Sequence, residues 1–212
     1  MCSFTYERRI IMFYIEIEGI ESAGKTTQCA LLDMKLSEMG IPSLVAKELE
    51  TTMLGQEIKK ILLSNKPLAT DPLTELFLFL GCKTHHFRSK VIPALQNKTI
   101  VIGDRGNGSF LTYHAETLPQ ELLLKLLEKA TNGVNPAITF LIDIPVDTVP
   151  QRIYGKKTQS RFDLQTLEKL DLKRQLFLAI AGKNNNWKII NGTQNVSTIH
   201  SQIWEETKSI IL

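Results

Sequence analysis

The sequence lacks the features that mark several large classes of protein. Its three cysteines, Cys2, Cys29 and Cys82, are too few for a disulfide scaffold, and no pair has the spacing of a zinc site. This points to a reducing cytoplasm. No apolar run approaches the ~20 residues needed to cross a bilayer. The apolar stretch Ile10 to Ile15 is broken at once by Glu16 and Glu18, so it does not read as a secretory segment. Aromatic residues make up only 7% of the chain, and no repeat or low-complexity tract occurs. Charge of one sign is also missing. The 25 basic and 22 acidic residues leave a net charge of +3, too little for a surface that coats a nucleic-acid polymer.

The chain does have the apolar content of a folded protein. Of its 212 residues 43% are hydrophobic and 22% charged, enough for a full core. Short apolar segments alternate with longer amphipathic ones, which predicts an α/β fold built of βαβ units on a parallel sheet. The five strands are expected at Phe13–Ile17, Ser43–Ala46, Thr99–Ile102, Ile138–Ile142 and Trp187–Ile190. Their continuous apolar character predicts burial on both faces. Helices are expected at Lys25–Met39, Glu57–Leu63, Leu73–Leu95, Gln120–Ala130, Val146–Tyr154, Leu164–Ala181 and Val196–Ile210, with Pro150 a burden on the fifth. Residues 12–212 read as one domain, with residues 1–11 as an extension ahead of it.

One motif has a specific mechanism. Gly19-Ile20-Glu21-Ser22-Ala23-Gly24-Lys25-Thr26 matches G-x-x-x-x-G-K-[ST], with an apolar strand before it and an amphipathic helix after it. Glycines let backbone N–H groups wrap phosphate oxygens, and the following helix points its positive end at them. Lys25 supplies a cation for the β- and γ-phosphates, and the Thr26 hydroxyl can bind Mg²⁺. The chain contains neither DxxG nor NKxD, which disfavours a GTPase switch.

A second motif, Asp104-Arg105, ends the strand Thr99–Ile102 and its Gly103. Ligands of open α/β sheets gather at the carboxyl ends of strands. Asp104 would hold metal-bound water or the Arg105 side chain, and Arg105 would neutralise charge on a transferring phosphoryl group. Asp143 ends another strand, but no arginine accompanies it. Cys82, His85 and His86 read as ordinary helix residues, because adjacent histidines point in different directions.

From Ile15 to about Ile203 the chain resembles the thymidylate kinase family. Four blocks carry the resemblance: Ile17 through Gln28; Glu75 through His86 with Ile92-Pro93-Ala94-Leu95; Asp104-Arg105 with Ser109 and Tyr113; and Arg152 through Arg161-Phe162-Asp163. The resemblance implies a P-loop fold, a five-stranded parallel sheet with helices on both faces and a mobile lid at about 152–163. It implies phosphoryl transfer from ATP to dTMP with Mg²⁺, and a homodimer. Gly19, Glu21, Ser22, Ala23, Gly24, Lys25, Thr26 and Thr27 would bind ATP, with Thr193 and Gln194 at its adenine and Arg152 in the basic lid that closes over it. Phe79 would stack on the acceptor base and Lys83 would meet a base carbonyl. Tyr113 would crowd the sugar 2′ position, with Ser109 near the base. Lys47, Glu48 and Glu21 would lie at the acceptor phosphate and metal. Lys156, Lys157 and Arg161 would be lid cations acting with Lys25, Asp104 and Arg105.

Three places depart from the family pattern. Gly106 stands where an aromatic residue or histidine is usual, Lys83 stands for an arginine, and Ala46 to Thr51 lacks the usual proline and glycines. The departures keep two alternatives open. One is a kinase for another deoxynucleotide or a deoxynucleoside, with Glu48 as general base. The other is a nucleotide-binding protein without turnover.

Overall fold

The computed structural model describes residues 13–63, 71–154 and 165–211. Five strands, β1 (Tyr14–Glu18), β2 (Ser43–Ala46), β3 (Ile100–Asp104), β4 (Ile138–Asp143) and β5 (Trp187–Asn191), form one sheet. All pairs are parallel, in the order β2-β3-β1-β4-β5. The chain leaves β1 toward β3 and β2 in one direction and returns to β4 and β5 in the other. The carboxyl ends of β1 and β3 therefore flank the switch point, where an α/β sheet opens a crevice. The strand expectations stand, within two residues at each end.

β1, β3 and β4 are buried almost throughout, as continuous apolar strands should be. The edge strands differ, because β5 exposes Lys188, Ile189 and Asn191. Ile15 and Ile17 of β1 point into the main core with Leu32, Phe140, Phe177 and Ile203. The alternate positions Tyr14, Glu16 and Glu18 are just as buried, so two carboxylates lie inside the opposite face of the central strand.

Around the sheet lie α1 (Lys25–Glu38), α2 (Met53–Leu62), α3 (Pro72–His86), α4 (Ile92–Gln96), α5 (Asn107–Tyr113), α6 (Gln120–Thr131), α7 (Val149–Tyr154), α8 (Leu167–Ala181) and α9 (Val196–Ile211). No helix among the described residues is long and apolar enough to cross a membrane.

Four helices differ from expectation. The run Leu73–Leu95 is helical but not uniform, because Phe87–Val91 forms a π-helical turn between α3 and α4. Pro93 lacks the N–H that a regular helix would need, and the wider turn just before it absorbs the mismatch. Pro150 is no burden, since it lies in the first turn of α7, where backbone N–H groups have no intrahelical acceptor. α2 starts earlier than expected because Thr52 caps it, its Oγ1 accepting from the Gly55 N–H at 3.0 Å. α5 was not expected at all.

Candidate active site

The loop from β1 to α1 wraps back on itself. Gly19 has φ 143°, and a Cβ there would fall 2.6 Å from the Ile142 carbonyl oxygen of β4. No other residue fits. The Lys25 ammonium donates to the Gly19 and Ile20 carbonyls at 2.8 and 2.6 Å. Burial, reinforced by the charge of Arg105, pushes it down to about 7. The Thr26 hydroxyl donates to Asp104 Oδ2 at 2.6 Å, and Lys47 Nζ lies 3.4 Å from the same oxygen. Arg152 closes the far side of the loop. It donates to the Gly192 carbonyl at 2.9 Å and to those of Ser22 and Ala23 at 3.3 and 3.4 Å.

Arg105 and Glu21 meet at the centre. Arg105 has φ 74°, a left-handed conformation that costs a side-chain-bearing residue about 1 kcal/mol. Its Nη1 donates to the Tyr113 hydroxyl at 3.0 Å, and its Nη2 lies 3.9 Å from Glu21 Oε1. The Tyr113 hydroxyl donates to the same carboxylate. Lys173, from α8, reaches within 3.8 Å of Glu21 Oε1 and sits 3.6 Å from the centre of the Tyr113 ring. Burial alone would raise Glu21, but the Arg105 and Lys173 charges outweigh it and hold the group below the usual carboxylate range.

The other end is built from α3, α5 and the segment after β2. Lys83 is 1% exposed and forms a 2.7 Å ion pair with Glu48 Oε2. It also donates to the Gly106 carbonyl at 3.4 Å. Glu18 accepts from the Gly106 and Ser109 N–H groups at 2.9 and 2.7 Å and from the Ser109 hydroxyl at 2.6 Å. The rings of Phe79 and Phe110 flank His114, with centroids 5.4 and 5.0 Å from it. Burial pushes His114 down to about 4, so its imidazole is neutral at pH 7.

One cavity of about 490 Å³ joins the two ends. Gly24, Lys25, Thr26, Thr27 and Arg152 line one end, and Glu48, Phe79, Ser109, Tyr113 and His114 the other. Lys47, Glu21, Asp104 and Arg105 lie between them. Thr26 and Asp104 fit a magnesium ion, as two adjacent oxygen donors beside a phosphate-binding loop; that metal takes its remaining ligands from water and phosphate.

Of the expected site residues, Gly19, Ala23, Lys83, Thr193 and Gln194 do not line this cavity. The Lys83 ammonium lies behind Glu48 instead. The Thr193 N–H and hydroxyl donate to Asn191 Oδ1 at 3.0 and 2.7 Å, and Gln194 accepts from Gln202 at 2.8 Å. Lys156, Lys157 and Arg161 lie outside the described residues, as do residues 1–11. Asp143, at the end of β4, makes two bonds to Arg174, at 2.6 and 2.8 Å, and β1 separates its strand from that of Asp104. Among the described residues no three His, Cys, Asp or Glu side chains gather as a metal site.

Glu16, Lys173, Phe110 and His114 were not foreseen. Two charges alternating along an otherwise apolar strand were the available signal for Glu16. Lys173 gave none, because a lysine on an amphipathic helix normally faces water.

Glu16 gives a pH test. Burial, then the neighbouring Glu18 charge, pushes it from 4.5 up to about 7. Between those values the folded state keeps a proton that the unfolded chain has released, so rising pH costs roughly 3 kcal/mol of stability through this group. The Glu16→Gln variant should gain that much on the wild type between pH 4 and 8 in paired urea melts. His86 and His114, each held near 4, pull the other way in both proteins and cancel in the comparison.

The comparisons with known proteins agree with this geometry. The Thymidylate kinase family profile matches residues 17–203. A thymidylate kinase of Kosmotoga olearia is 32% identical over 196 residues, covering 91% of this chain and 94% of the relative. One of Fervidobacterium nodosum is 34% identical over 192 residues, covering 90% and 95%. The crystal structure of thymidylate kinase from Ehrlichia chaffeensis superposes with a TM-score of 0.73 at 27% identity, covering 92% of this chain and 98% of that one. A phosphate loop and an Asp-Arg turn facing an aromatic pocket across one cavity, with relatives that match nearly end to end, place the chain in the thymidylate kinase family.

Proposed function

We propose that this chain transfers the γ-phosphoryl group of ATP to the 5′-phosphate of dTMP, giving ADP and dTDP. The observation that carries the reading is the position of Arg105, between a phosphate-binding loop and an aromatic-walled pocket in one cavity. The transferring group is loose and anionic, so catalysis is mainly positioning and charge neutralisation. ATP phosphates draw Lys25 off the Gly19 and Ile20 carbonyls, and the N–H groups of Gly19, Glu21, Ser22, Ala23, Gly24, Thr26 and Thr27 surround them. Thr193 and Gln194 lie on the adenine side, and Arg152 closes over the phosphate loop. Thr26 and Asp104 would hold Mg²⁺, which would supply charge neutralisation to the phosphates.

On the acceptor side Phe79 stacks on the base, Ser109 lies near it, and Tyr113 stands at the sugar. Lys47 and Glu48 border the acceptor phosphate, and Glu21 holds Arg105 and Tyr113 toward it. Lys83 serves this end by holding Glu48. The acceptor phosphate is already ionised, so no general base is needed. Lys156, Lys157 and Arg161 remain the lid cations of this reading.

The test is ADP release with Mg·ATP across dTMP, dUMP, other deoxynucleoside monophosphates, the ribose analogue of dTMP, and thymidine. Preference for dTMP supports the reading. Preference for thymidine, with a base limb in the pH profile lost in Glu48→Gln, would replace it with nucleoside phosphorylation. Silence throughout would leave a nucleotide-binding protein without turnover. Phe79→Ala should raise the KM for dTMP about tenfold to a hundredfold, since one base stack contributes roughly 1–3 kcal/mol, with the KM for ATP unchanged.

A homodimer is part of the same reading, because α3 exposes Leu73 and Phe77 and α6 exposes Leu122 and Leu124. Light scattering on the purified chain tests it. The buried free thiols Cys29 and Cys82 fit a cytoplasmic home.

A further inference from the structure

Gly106 has no side chain, and the space one would fill is taken. A Cβ at Gly106 would fall 2.1 Å from Glu16 Oε1, 2.2 Å from its Cδ and 2.8 Å from its Cγ. Its φ of −168° lies outside the left-handed region. The obstacle to a side chain at this position is steric, and a single side chain imposes it.

That side chain also has a bonding role. α5 begins at Asn107, and its cap residue Gly106 offers no side-chain acceptor. The N–H groups at this helix start are taken by β1 instead. Glu16 Oε1 accepts from the Asn107 N–H at 3.0 Å, beside the Glu18 bonds to Gly106 and Ser109. Two carboxylates on a fully buried strand thus hold the turn that follows Asp104-Arg105. Arg105 itself is in a left-handed conformation, which persists only where its surroundings fix it. α5 also carries Tyr113, the hydrogen-bond partner of the Arg105 guanidinium.

We propose that Glu16 is a positioning residue for Arg105: its carboxylate fills the place of a side chain at 106, ties down the Asn107 amide, and so sets where the guanidinium points. Glu16 and Gly106 form a matched pair. Neither touches substrate, and a displacement of their turn acts on the reaction through Arg105. The inference rests on the phosphoryl-transfer reading for its kinetic readout alone.

The test compares Glu16→Ala, Glu16→Gln, Gly106→Ala and the double variant Glu16→Ala/Gly106→Ala. Rates are taken with whichever acceptor the wild type uses best, so a wrong acceptor base does not affect the result. Glu16→Ala and Gly106→Ala should each lower kcat about tenfold or more, with the KM for ATP within about twofold, because a shift of an ångström at a catalytic group has effects of that size. Glu16→Gln keeps an acceptor oxygen in place and should stay within about threefold of the wild type. The double variant should be faster than Gly106→Ala alone, since the added methyl enters vacated space and the two effects do not add.

A wild-type kcat for Gly106→Ala would overturn the inference. So would equal kcat values for Glu16→Gln and Glu16→Ala, or a double variant slowed by the product of the singles. If Gly106→Ala does not fold, the comparison of Gln with Ala at position 16 decides alone. If no acceptor is turned over, the proposed function fails, and hydrogen exchange at the Asn107 amide still tests the inference. That exchange should be faster in Glu16→Ala than in Glu16→Gln, and equal rates would overturn it.

Discussion

Arg105→Ala lowers kcat about a thousandfold while the protein stays folded and the KM for ATP changes little. An arginine that neutralises a transferring phosphoryl group contributes roughly 10³ or more to the rate. Arg105 stands at the junction of the two ends of the cavity, with its side chain about one-third exposed. Its removal does not strand Glu21, which keeps Lys173 and the Tyr113 hydroxyl as neighbours. The P-loop contacts of Lys25 and Arg152 are untouched, so ATP binding should persist. Arg105→Lys restores the charge but not the planar fork, and should recover only part of the loss. Steady-state kinetics with a parallel melting curve check this. A loss of less than about tenfold would remove Arg105 from the transition state.

Lys83→Met lowers stability by about 3 kcal/mol, which for a chain of this size is roughly 10 °C in Tm. The Lys83 ammonium is almost fully buried, and Glu48 is its ion-pair partner. Breaking a buried pair leaves the other charge without compensation. Burial already raises Glu48, and Lys83 is what opposes that rise. Replacing Glu48 by Gln in the Lys83→Met background should recover most of the lost stability. A different outcome would show a different role: an unchanged Tm with a raised KM for dTMP would mean that Lys83 reads the acceptor base.

These two residues also show which parts of the molecule could be read from the sequence. The strands were legible because buried parallel strands are short apolar runs, and that pattern is local. The phosphate loop was legible because its backbone geometry demands glycines at fixed spacing next to Lys25 and Thr26. Asp104 and Arg105 were legible as polar residues that end such a strand. The partner of Lys83 was not. Glu48 lies 35 positions away in sequence, and nothing around either residue signals the pairing. The match between Glu16 and Gly106 spans 90 positions and was hidden for the same reason. α5 left no periodic trace, because a seven-residue helix held by carboxylates of another element needs no amphipathic pattern of its own. The π-helical turn before Pro93 likewise follows from a backbone mismatch that composition does not reveal.

The central claim is that one cavity passes a phosphoryl group between two nucleotides. The most direct measurement is phosphorus NMR of the wild-type protein with Mg·ATP and dTMP, following both nucleotides in one sample. The account predicts ADP and dTDP appearing in equal amounts, with no inorganic phosphate. ADP with inorganic phosphate in place of dTDP, or ATP left unchanged beside dTMP, would contradict it.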